Sequence, residues 1–109
     1  MKCFVFDSAI GRNIPSSDAI DMDRSEILSE WDCLSNENGS FLGIHQPGGT
    51  VVQFVYNDSD VVSLDIPLPA KGGSLTKECA SQECRELIEY LCDGKDPLSI
   101  SGLQFAFWR

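Results

Sequence analysis

Residues 40–67 read SFLGIHQPGGTVVQFVYNDSDVVSLDIP, and two turn signals divide them, PGG at 47–49 and NDSD at 57–60. The runs between are rich in Val, Ile and Phe, so the segment predicts three strands, at 40–46, 50–56 and 61–67. Turns this short join antiparallel neighbours, whereas a parallel crossover needs a dozen residues or more. The stretch is therefore a meander. Period-two alternation puts Val52, Phe54 and Tyr56 on one face of the middle strand and Val51, Gln53 and Val55 on the other. The third strand divides into Val62, Leu64 and Ile66 against Val61, Ser63 and Asp65. The first set of each is expected to face the core.

Upstream, KCFVF at 2–6 is aromatic and β-branched and reads as a strand, and GRNIPSSDAI at 11–20 reads as a loop by its Gly, Pro and Ser content. The period then changes. Ile27, Leu28, Trp31 and Leu34 form one apolar stripe, predicting a helix at about 23–34. Asp21 or Asp23 is placed to cap it, and SNENG is expected to stop it, with Gly39 or an Asn as left-handed terminator.

Downstream, PLPAKGG reads as a loop, and SLTKECA as no more than a short edge strand that Lys77 and Glu78 would protect from further pairing. Ser81 is the expected N-cap of a second helix at 82–92, with Cys84, Leu87, Ile88 and Leu91 on its stripe and Gly94 past its end. GLQFAFWR closes the chain as a strand, with Leu103, Phe105 and Phe107 on one side and Gln104, Ala106 and Trp108 on the other. The expectation is one α+β domain over 1–109: an antiparallel sheet of about five strands with two helices.

The 109 residues are enough for one core, which at this length buries roughly 65% of the extended-chain surface. The formal net charge of −9, from 8 Lys plus Arg against 17 Asp plus Glu, repels nucleic-acid phosphates and anionic headgroups. Neither nucleic acid nor a membrane is an expected partner; a basic protein is, with faster encounter at low salt. Five cysteines are an odd number with no CxxC pair, which fits reduced thiols in the cytoplasm. The apolar run of MKCFVFDSAI is too short for a signal-peptide core or a membrane span.

Catalytic and metal motifs are sparse. A calcium loop counted from Asp21 would require Gly at 26 and Glu at 32, where the chain has Glu26 and Asp32, so no metal or cofactor is expected. His45 is the single histidine, and no cysteine has a Gly-rich elbow or comparable activating context, so a cysteine-dependent enzyme is the least favoured reading. Neither PGG nor KGG continues as a phosphate-binding loop.

The densest charge lies in DAIDMDRSEILSEWDCLSNE, 18–37, with seven carboxylates against Arg24 alone. The partner-binding candidates are Asp21, Asp23, Glu26, Glu30 and Asp32 on and before the first helix, with Asp58 and Asp60 at the NDSD tip. The bland alternative is a solvated acidic surface aimed at no partner.

GSFLGIHQPGGTVVQFVYNDSDVVSLDIPLP followed by SQECRELIEYLCDG resembles small bacterial immunity proteins of polymorphic and contact-dependent toxin systems. The shared pattern, over roughly 39–94, is a strand ending at a turn, a long strand with a Gln, an acidic tip, a strand closing in Ile-Pro, and a helix opening with Ser. The resemblance implies a non-enzymatic inhibitor that occludes the active site of a cognate, often basic, toxin. A small regulatory or adaptor protein, or a nucleic-acid mimic, is the alternative.

Overall fold

The computed structural model describes residues 1–57 and 61–108. Its strands are β1 (Lys2–Asp7), β2 (Arg12–Ile14), β3 (Ile20–Asp21), β4 (Phe41–His45), β5 (Val51–Tyr56), β6 (Val61–Leu68), β7 (Gly73–Ala80) and β8 (Gln104–Phe107). They form one antiparallel sheet in the order β2-β1-β4-β5-β6-β7-β8, with β3 sharing the outer side of β1 with β2. Two α-helices among the described residues, α1 (Arg24–Cys33) and α2 (Ser81–Cys92), complete the α+β architecture. The meander is β4-β5-β6, in continuous register.

The sheet has eight strands, more than the five or so expected. Two of the additions, β2 and β3, are three and two residues long, too short to show a period, and they lie in what the sequence marks as a loop. The third correction is β7. It is an eight-residue strand paired along all of β6, with β8 covering its outer side over Gly73–Thr76. Lys77 and Glu78 lie just beyond that cover, where a charged edge discourages further pairing.

Core selection follows the alternation. Val52, Phe54, Val62, Leu64 and Ile66 are fully buried, together with Cys3, Leu42 and Ile44 from β1 and β4. Both helices cover that face: α1 through Ile27 and Trp31, α2 through Cys84, Ile88 and Leu91. The Trp31 indole stacks on Tyr56 at 5.2 Å and 5°, which makes it the anchor of α1 on the sheet.

α1 begins with a capping box. Glu26 N–H donates to Asp23 Oδ1 at 2.9 Å and Asp23 N–H donates to Glu26 Oε1 at 3.1 Å. The helix stops differently from expectation. Leu34 is its extended C-cap, and the chain is then tied by Ser35, whose amide and hydroxyl both donate to the buried Asp7 carboxylate (3.0 and 2.7 Å). Gly39, at φ +89°, instead turns the chain into β4 and donates its N–H to the Tyr56 carbonyl. Likewise Ala80, not Ser81, is the N-cap of α2. Ser81 is already helical, its hydroxyl 3.0 Å from that of Tyr56.

Candidate functional site

A two-layer fold leaves the second face of its sheet without helices, and here that face is organised in cross-strand rows. One row runs Phe4, Gly43, Gln53, Asp65, Thr76, Gln104 across six strands; the next runs Phe6, Phe41, Val55, Ser63, Glu78. Each row begins on an aromatic side chain over β1 and passes to polar ones over β6 and β7, the first reaching β8 at Gln104.

The aromatic end is closed. Phe4 is only 4% exposed because its ring lies over Gly43, where a Cβ would come within 2.0 Å of the ring. Phe41 and His45 flank it at centroid distances of 6.1 and 5.2 Å. His45 Nε2 is hydrogen-bonded to Ser16 Oγ at 3.0 Å, so the one imidazole is held by the turn at 16–18. Cys3 faces the helix layer from the neighbouring strand position, on the opposite side of the sheet from His45. Burial pushes its thiol up to about 12 and raises those of Cys79 and Cys84 as well.

The polar end is open. Asn57, Ser63, Asp65, Thr76, Glu78 and Gln104 surround a surface cleft of about 890 Å³ floored by Val55. Asn57 Nδ2–H donates to Ser63 Oγ. Partial burial raises the Asp65 carboxyl above its ordinary value, against the opposing effect of a hydrogen bond from Ser74. Ser74 is itself buried and accepts from Trp108 Nε1–H at 2.9 Å, so β6, β7 and the end of β8 are linked under the cleft. The lining also includes Lys77, but its ammonium is paired with Glu83 at 2.7 Å, so the two carboxylates and the other acceptors leave the cleft with a balance that suits a cationic side chain.

The carboxylates singled out in the sequence have other attachments. Asp21 accepts from the N-terminal ammonium at 3.2 Å, and Asp23 and Glu26 form the capping box. Glu30 makes a two-pronged pair with Arg12, and Asp32 another with Arg85. Arg85 also reaches Glu89 (2.8 Å), and Arg24 joins Glu89 (2.8 Å) to Asp93 (3.1 Å), so a charge network ties α1 to α2. The dense acidic stretch is thus largely answered from within the molecule. Asp58 and Asp60 lie outside the described residues.

Asp65, Glu78, Thr76 and Gln104 were not singled out. The signal for Asp65 existed, since alternation places Ser63 and Asp65 opposite the core set, but their neighbours on β7 and β8 come from register between strands remote in sequence. Among the described residues no group of three or more His, Cys, Asp or Glu could hold a metal ion, and no helix is long and apolar enough to cross a membrane. Comparison with protein-family models, with curated proteins and with solved structures finds no match.

Proposed function

We propose that this chain is an acidic protein-binding inhibitor, of the toxin-neutralising kind its sequence resembles, that docks a basic partner in the cytoplasm without covalent chemistry of its own. The observation that carries this reading is the acceptor-rich cleft of Asp65 and Glu78 on the helix-free face, in a molecule of net charge −9. Long-range attraction would bring a cationic protein to the surface, and the cleft would take one of its Lys or Arg side chains. Charge on α1 adds less to such contact, because most of those carboxylates already satisfy a cation or a helix terminus.

The test is co-purification of the tagged chain with the product of the neighbouring reading frame, followed by an activity assay of the captured protein with and without the chain. Asp65→Asn with Glu78→Gln should weaken the complex by about tenfold or more, as loss of a desolvated charge pair does. Neutralising Asp21, Asp23, Glu26 and Glu30 should mainly slow association at low salt. Absence of any capture, or a complex indifferent to the cleft pair and lost with the α1 set, would overturn the reading of this face.

A further inference from the structure

The two edges of the sheet are built differently. At one, β2 and β3 are three and two residues long, Pro15 stands in the chain between them, and Arg12 and Asp21 place charge there. Such an edge is blunted against further strands. At the other, β8 is also short, at four residues, but holds neither proline nor charge: residues 97–108 carry no charged side chain, and 104–107 read QFAF.

Backbone direction in β8 follows from one bond. Trp108 N–H donates to the Gly72 carbonyl at 2.9 Å, so in an antiparallel pair the N–H groups of Gln104 and Ala106 also point inward, toward β7. Those of Phe105 and Phe107 point outward. Beside them a largely apolar groove of about 650 Å³ is lined by Leu68, Leu75, Leu98, Phe105 and Phe107, with Lys71 as its one charged side chain. Phe107 is 77% exposed, Trp108 52% and Leu98 51%. Exposed aromatics beside an unblunted strand mark a place for another strand.

We infer that this edge takes a second copy of the same chain, β8 pairing antiparallel with β8 across a two-fold axis and each Phe107 entering the other copy's groove. Charge selects this occupant. Copies of net charge −9 repel one another over most of their surfaces, and the edge around 97–108 holds no carboxylate and has the cation Lys71 in its groove, so two copies can approach there with least repulsion, whereas it offers nothing to attract a basic protein. A two-fold pairing is also self-complementary, since the same strand supplies both donors and acceptors. At 150–250 Å² for each aromatic, the exposed apolar surface is about 400 Å² per copy. Doubled, and with backbone and rim added, this reaches only the low end of the roughly 1,200–2,000 Å² of stable interfaces, so the dimer belongs to the micromolar range.

Sedimentation velocity of the full chain from about 1 to 500 μM tests this. A monomer–dimer equilibrium is expected, and Phe107→Glu should raise its dissociation constant by about thirtyfold or more. Circular dichroism and the unfolding midpoint of the diluted variant should match the parent, because Phe107 is largely exposed. Added salt should strengthen the dimer by screening its repulsion, the opposite of its effect on a complex with a basic partner. Amide exchange at Phe105 and Phe107 should slow with concentration. A monomer throughout this range, a dimer that survives Phe107→Glu, or concentration-independent exchange at both amides would overturn the proposal.

Discussion

The two faces of this sheet use the same strands for different ends. On the helix side, residues from five strands are buried beneath α1 and α2, and the buried Asp7 carboxylate is answered by three N–H and O–H donors. On the other side, most side chains remain half-exposed, and Asp65 is held where burial disfavours its charge. The difference teaches where stability resides and, on the function proposed above, where recognition would. A packed layer makes the fold, and the face it leaves uncovered retains polar groups that a partner can complete.

The largest test of this contrast lies under α1. Trp31→Ala removes the indole that stacks on Tyr56 and should cost about 3–5 kcal/mol in urea unfolding, whereas Phe41→Ala on the half-exposed face should cost less than half of that. Equal losses would erase the distinction between the faces.

Asp7→Ala should cost about 2–3 kcal/mol at neutral pH by leaving the Ser35 and Ala9 donors without their carboxylate. The sign of the pH effect follows from the shift. The Ser35 hydroxyl first, then the Ser35 and Ala9 amides, hold Asp7 below the ordinary carboxylate range. Its contribution is complete above the unfolded value of about 3.9 and is lost as pH falls through the folded value. Acid titration of stability should therefore be shallower in Asp7→Ala than in the parent.

Gly43→Ala probes the closed end of the helix-free face. The added methyl would meet the Phe4 ring and displace it, costing about 1–3 kcal/mol. Thermal unfolding checks the loss, and Phe4→Leu combined with Gly43→Ala should recover part of it. An unchanged midpoint for Gly43→Ala would mean that the ring does not close this end.

The smallest effect has the opposite sign. Folding raises Asp65, so its carboxylate withholds stability progressively as pH rises from the unfolded value through the folded one. Asp65→Asn should raise neutral-pH stability by less than about 1 kcal/mol, since water screens a half-exposed group, and should leave acid stability unchanged. The same substitution should weaken partner capture. Stability that falls at neutral pH, or capture that is unaffected, would remove Asp65 from the recognition face.

Much of the architecture was legible because apolar spacing carries it. Val52, Phe54 and Tyr56, then Val62, Leu64 and Ile66, alternate and are buried; Ile27 and Trp31, then Cys84, Ile88 and Leu91, recur at helical spacing and are buried too. β2 and β3 escaped because two or three residues hold no period, and pairing with β1 rather than propensity makes them strands. SLTKECA was underrated for the same reason. Its eight-residue pairing with β6 is a tertiary fact, as is the short cover that β8 gives it.

The candidate site divides in the same way. Net charge, a lone histidine and cysteines without activating context are properties of composition, and they favour a protein partner over nucleic acid. Which carboxylates are already paired within the molecule was decided only in three dimensions. Arg12, Arg85 and the N-terminal ammonium reach Glu30, Asp32 and Asp21 from 18, 53 and 20 residues away. Coulomb interaction depends on distance in space, so a run of like charge in sequence is not yet a charged surface. Cross-strand register likewise brings Asp65, Thr76 and Gln104 side by side, a neighbourhood that no single segment of the chain contains.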